Sequence, residues 1–167
     1  LWLAQRTHRV MVITKRLLES EATRKHEIER VIKEVLIGCN KRQVTTVVGD
    51  GIYPENRIDF RPYMDLLQCS MDEVSCIIND SFAEIAYEVF KKESSFRAMY
   101  TSGGDITVSV CDRFNTAGLR LRDEVLPLAA YGKFLGGEFD GVHLITKDGS
   151  QGGHDAINLC ITYLKEK

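Results

Sequence analysis

A chain of 167 residues, 44% of them hydrophobic, is long enough to bury a core without disulfide or metal staples, and its simplest reading is a single domain. A net charge of −2 with acids and bases interspersed argues against a nucleic-acid face or a polybasic membrane patch, both of which need concentrated positive charge. No apolar run approaches the roughly 20 residues of a bilayer span, and the start lacks the charged-then-apolar design of a secretory leader, so the expected location is the cytoplasm.

The opening Leu1-Trp2-Leu3-Ala4 resembles the closing turn of a helix, and the first residue is not Met, so the chain is expected to be a fragment of a longer protein. Arg9 to Thr14 is β-branched and apolar enough for a buried strand. From Thr23 the period becomes helical: Ile28, Val31, Ile32, Val35 and Leu36 form one stripe, Ser20 or Thr23 caps its start, and Gly38 ends it. Arg24, Glu27 and Arg30 are expected on its solvated face. Gln43 to Val48 is the next strand. The Gly49-Asp50-Gly51 turn after it reads equally as a ligand loop or a surface excursion. Ile52 to Cys69 shows no clean period and is expected as loop, with a short helix near Tyr63 to Leu67.

Ser70-Met71-Asp72-Glu73 has the spacing of a capping box and predicts a long helix. Val74, Ile77, Ile78, Ala83, Ile85, Ala86, Val89 and Phe90 would be its buried face, with Lys91 and Lys92 at the negative end of its dipole. The five cysteines, Cys39, Cys69, Cys76, Cys111 and Cys160, form no C-x-x-C pair, which gives no zinc site or disulfide framework. Cys76, Cys111 and Cys160 lie in apolar helical patterns and are expected as small buried hydrophobes.

The rest of the chain is organised around Phe96 to Phe114, FRAMYTSGGDITVSVCDRF, an apolar strand that breaks into Ser102-Gly103-Gly104-Asp105 and resumes as a helix. The first N–H groups of such a helix lack intrahelical partners and are open to an anion, phosphate above all. Gly103 and Gly104 let the backbone approach an oxygen closely. Asp105 is expected as cap or first-turn acid in preference to a Mg²⁺ ligand, and Thr101, Ser102 and Thr107 are hydroxyls for either phosphate or capping. Strands follow at Gly118 to Leu121 and at Leu126 to Leu135, with Pro127 at a strand start or edge. Gly136-Gly137 and Asp140-Gly141 precede a strand from Val142 to Thr146, then a second Gly-rich turn, Lys147 to Gly153, feeds a last helix at whose start His154 stands. Lys147 would neutralise phosphate and Gly149 would admit a base or sugar; the plain alternatives are a surface lysine and a tight turn. Neither turn matches the P-loop or the dinucleotide fingerprint. His8, His26, His143 and His154 lack metal-ligand spacing. Strands alternating with helices predict an α/β layered fold with a largely parallel sheet, helices on both faces, and both turns at strand C-terminal ends in one crevice.

From Phe96 onward, the strand ending in S-G-G-D, the helix after it, G-L-R-L, the G-G before a strand and the K-x-G turn resemble, in that order, the C-terminal nucleotide-binding domain of the four-carbon acid sugar kinase family. Upstream, RLLESEATRKHEIERVIKEV resembles the family's second strand and helix. The resemblance implies a Rossmann-like domain that binds ATP with Mg²⁺, in an enzyme phosphorylating erythronate, threonate or their 3-oxo forms. By motif, the ATP contacts fall on Gly103, Gly104, Asp105 and Ile106 and on Gly149, with Ser102 and Lys147 flanking them; Ile106 stands where the family commonly has threonine. The family's first strand, its Ser-containing turn and its sugar-acid domain would precede Leu1, so the chain alone is expected to be inactive. The alternative is a non-catalytic α/β module that binds a sugar phosphate or a protein partner. An oligomer stays open.

Overall fold

A computed structural model describes residues 7–149 and 153–167. The helix-like opening Leu1 to Ala4 and residues Ser150 to Gly152 of the second turn lie outside the described residues. The chain divides into two compact units, Leu1–Val89 and Phe90–Lys167. Among the described residues no helix is long and apolar enough to cross a membrane.

In the first unit, strand β1 (Thr7–Val12) pairs in parallel with β2 (Val44–Gly49). Helices α1 (Thr14–Glu19) and α2 (Glu21–Cys39) connect them. The segment from Arg16 that resembles the family's second strand and helix is therefore helical from its first residue. The apolar stripe of α2 buries Val31, Ile32 and Val35, and β1 buries Val10 and Val12. Ser20 is the cap of α2: its hydroxyl accepts from Thr23 N–H at 3.1 Å while Thr23 Oγ1 accepts from Ser20 N–H at 3.0 Å.

Glu27 corrects the expectation of a solvated face. It is 1% exposed, and its carboxylate accepts from Ile13 N–H at 2.7 Å, from Arg16 at 3.2 Å and from Arg30 Nε at 3.0 Å. Burial alone would raise its pKa, but the hydrogen bonds from Arg30, Ile13 and Arg16 outweigh that and hold it below the usual carboxylate range. The carboxylate thus ties α2 to the backbone where β1 gives way to α1. Asp50 does similar work beyond β2. Its Oδ1 accepts from Thr14 N–H at 3.0 Å and from the Thr14 hydroxyl at 2.7 Å, which gives the Gly49-Asp50-Gly51 turn a local role in closing the parallel pair. Helix α3 (Arg61–Leu67) is the short helix expected in that region.

Helix α4 (Met71–Lys92) starts on the expected capping box: Ser70 N–H donates to Glu73 Oε2 at 2.7 Å and Glu73 N–H to Ser70 Oγ at 3.2 Å. Val74, Ala83, Ile85 and Val89 are buried as expected, whereas Cys76 is exposed and does not act as a buried hydrophobe.

The second unit holds a four-stranded sheet of order β3-β6-β5-β4, formed by β3 (Ala98–Ser102), β4 (Gly118–Leu126), β5 (Ala129–Leu135) and β6 (His143–Lys147). The β3–β6 pair is parallel, as β1–β2 is, and β5 and β4 extend the sheet by antiparallel pairing. The antiparallel extension follows from a two-residue hairpin, Pro127-Leu128. The proline thus occupies the turn and leaves two separate strands, instead of standing at the start of one. Helix α5 (Gly104–Arg113) covers one face of the sheet and α6 (Ala156–Lys165) the other. On the α5 face Phe114 packs in tilted geometry against Phe134 and Phe139 at ring separations of 5.2 and 4.4 Å. On the α6 face Cys160 is buried among Ala129, Tyr131 and Ile145.

Candidate functional site

The register Ser102↔Lys147 aligns the C-terminal ends of β3 and β6, so the two Gly-rich turns leave the sheet side by side. Gly103 N–H donates to Lys147 C=O at 2.8 Å. A Cβ placed on Gly149 would lie 3.8 Å from Gly103 Cα and 3.9 Å from Ser102 Oγ. The positions singled out by sequence at the two turns therefore adjoin one another.

Within the first turn the residues differ in what they offer. Gly103 is the N-cap of α5 with φ +117° and ψ 141°, a conformation that only glycine adopts without strain, and no side chain caps the helix. The first intrahelical bond runs from Thr107 N–H to Gly103 C=O at 3.4 Å. It leaves the N–H groups of Gly104, Asp105 and Ile106 at the open end of the helix. Gly104 and Asp105 are exposed, and Asp105 is a first-turn acid. Ile106 is half-buried, and its methyl group lies 3.5 Å from a Cβ built on Gly103. Its side chain folds under the turn and leaves the backbone N–H as its polar contribution. Thr101 and Thr107 are not available hydroxyls. Thr107 Oγ1 lies 2.8 Å from both Thr101 Oγ1 and Thr146 Oγ1 and donates to Gly103 C=O at 2.8 Å, a knot that pins α5 to both parallel strands.

Lys147 is not the surface lysine of the plain reading. It is 5% exposed, and Nζ donates to the backbone carbonyl of Asp148. Among the described residues no carboxylate pairs with it.

Beside the two turns opens a cleft of about 710 Å³, within the size range of small-molecule sites. Gly104, Thr146, Lys147 and Asp148 line it on one side. On the other stands the β4–β5 hairpin, which contributes Leu121 to Glu124 and Leu128 to Ala130. Sequence reasoning missed that wall. Its traces in the sequence are the Leu126-Pro127-Leu128 turn and nothing more, because the register shifts at Leu121/Asp123 and Glu124/Leu126 appear only once the strands pair. Among the described residues no group of three or more His, Cys, Asp or Glu side chains converges as a metal site.

His143 lies away from the turns at the start of β6, with Nδ1 2.9 Å from the Tyr131 hydroxyl. Burial, with Lys133 and Lys167 nearby, pushes its pKa below the ordinary histidine value. A depressed histidine favours the neutral form in the folded state, so stability is constant above about pH 6.5 and is lost as the pH falls from there toward the lowered value. The thermal midpoint should therefore drop between pH 7 and pH 5.5 more in the parent protein than in His143→Asn; parallel curves would show that His143 does not contribute.

A family model described as the nucleotide-binding C-terminal domain matches residues 2–157. D-erythronate kinase of Heliobacterium modesticaldum is 39% identical over 145 residues, which covers 84% of this chain and 32% of that protein. D-threonate kinase of Salmonella typhimurium is 28% identical over 75 residues, covering 45% of this chain and 18% of that enzyme. The chain thus spans about a third or less of the length of these curated relatives. Among solved structures, a Haemophilus influenzae protein of the DUF1537 family superposes with a TM-score of 0.72 at 15% identity, over 98% of this chain and 36% of that one. A Bordetella bronchiseptica DUF1537 protein, a domain-swapped dimer with bound citrate, superposes at 0.68 with 19% identity, over 99% of this chain and 37% of that one. At these identities the superpositions establish the α/β fold.

Proposed function

This chain belongs to the nucleotide-binding C-terminal domain family of the four-carbon acid sugar kinases, and from that premise we propose that it is the ATP-holding portion of an enzyme that phosphorylates erythronate, threonate or a 3-oxo relative. The observation that carries this reading is Lys147. A buried ammonium without a carboxylate is unfavourable by itself, and a phosphate chain placed against it offsets the lost hydration. The open N-terminus of α5 supplies the second element: Gly104 lines the same cleft as Lys147, and the N–H groups of Gly104, Asp105 and Ile106 with the positive end of the helix dipole favour an anion there.

The residues present fit a triphosphate with its metal. A Mg²⁺ ion commonly keeps several waters and takes one or two carboxylates along with phosphate oxygens, and Asp105 is the acid within the turn. The nucleotide, when bound, supplies the phosphoryl group. The chain's own residues position the phosphates and neutralise their charge, which is the larger part of catalysis in phosphoryl transfer. The sugar acid and the groups that activate its hydroxyl belong, in this proposal, to the remainder of a longer protein, in keeping with the share of the erythronate kinase that the chain covers. This chain alone then binds without turnover.

Calorimetric titration of the full chain with MgATP tests the reading, with Lys147→Met as the diagnostic variant. Methionine keeps an apolar stem and removes the charge. ATP affinity should fall about 10- to 100-fold, the worth of a hydrogen bond to a charged group, while the thermal midpoint holds or rises because among the described residues no carboxylate loses its partner. Equal affinity in both proteins would place the nucleotide elsewhere.

A further inference from the structure

We infer that Leu128, together with Leu121, forms the wall on which the adenine base of the nucleotide packs; this rests on the nucleotide reading above and adds the base-holding surface to it. Leu128 has φ +63°. The other non-glycine residues with positive φ among the described residues are Gln68 and Asn115, which stand just beyond helix ends, where a left-handed residue is an ordinary terminator. Leu128 instead follows Pro127 in a two-residue hairpin turn, at the position where glycine or asparagine is usual and a bulky side chain is strained.

Core packing does not account for that strain, since Leu128 is 58% exposed. Leu121, from the facing strand, is 62% exposed, and both line the cleft that also contains Gly104 and Lys147. The turn is held from both sides: Leu128 N–H donates to Glu124 Oε1 at 3.3 Å, and Leu128 C=O accepts from Asp148 N–H at 3.1 Å. The second bond ties the hairpin tip to the Lys147 turn, so the leucine is fixed in place relative to the buried ammonium. Register shifts after Leu121 and after Glu124 bend β4 where it lines the cleft, and such irregularities commonly re-aim side chains beside ligand sites. Strain, exposure and rigid anchoring on the wall of a cleft whose other side suits phosphate point to a flat apolar ligand part, which for this nucleotide is the base.

The test compares MgATP with inorganic tripolyphosphate, which has the phosphates but no base, on the full chain, Leu128→Gly and Leu121→Thr. Wild type should bind ATP more tightly than tripolyphosphate. Both variants should lose about tenfold or more in ATP affinity, keep their tripolyphosphate affinity, and in Leu128→Gly show an unchanged or higher thermal midpoint, because glycine removes the strain. Leu121→Thr leaves the turn untouched and keeps strand propensity. Equal wild-type affinity for the two ligands, unchanged ATP affinity in the folded variants, or a lowered midpoint with parallel loss of both ligands would each overturn the inference. A wild-type chain that binds neither ligand overturns the nucleotide reading itself, and this inference with it.

Discussion

Gly104→Val is expected to abolish nucleotide affinity, a loss of at least about a hundredfold, while the protein stays folded. The structure separates the two adjacent glycines in this respect. Gly103 holds the positive φ of +117°, whereas Gly104 is the first residue of α5 and lies outside that region. A Cβ on Gly104 meets nothing within 4 Å, so the branch point of a valine there displaces no neighbour. Its methyl groups would instead fill the open space before the helix N-terminus, where phosphate oxygens must come within hydrogen-bond distance of backbone N–H groups. Calorimetry with MgATP beside a thermal melt distinguishes the outcomes. Lost binding with an unchanged midpoint locates the phosphates at this turn. Retained affinity in a folded protein would reduce Ser102 to Ile106 to a strand-to-helix corner, and a collapsed midpoint would mean the turn tolerates no side chain at either glycine.

The second large effect concerns stability. Glu27→Gln should destabilise the first unit by about 2–3 kcal/mol, somewhat below the cost of breaking a fully buried ion pair. The moderation has a structural cause: the Arg30 and Arg16 side chains keep 30% and 51% of their surface in water, so neither is stranded when its partner is neutralised. The carboxylate oxygen that accepts from Ile13 N–H is replaced at best by a weaker amide oxygen. Because Glu27 is held below its ordinary pKa, its contribution is present above about pH 4.3 and is lost as the pH falls through the lowered value. Denaturant unfolding at pH 7 and pH 3.5 checks both statements. The gap between parent and variant should be wide at pH 7 and narrow in acid. The exposed neighbour Glu29→Gln should stay within about 0.5 kcal/mol of the parent at either pH.

What the sequence determined by itself is what depends on neighbours a few residues apart. The capping box at Ser70, a cap at Ser20 or Thr23, the apolar stripe of α2, the strand-to-helix passage at Ser102 to Asp105 and the α/β class are set by hydrogen bonds and periods spanning three or four residues, and each was legible in residue order; that Ser20 is the cap was left to the structure. The order of turn motifs from Phe96 onward likewise carried the family, because glycines at strand ends serve local backbone geometry. Only the tertiary structure decided the burial of Glu27. Its position beside Ile28 marks it as polar surface, and the Ile13 N–H it satisfies is fourteen residues away. The same holds for Lys147, which reads as a turn lysine until the strand register buries it. It holds again for the cleft wall, since Leu121 and Leu128 face that space only after β4 and β5 pair with their shifted register and Leu128 is bonded to Asp148. A residue type records what a side chain can do. Which distant partner it meets, and whether water reaches it, is fixed by chain segments whose encounter leaves no local period to read.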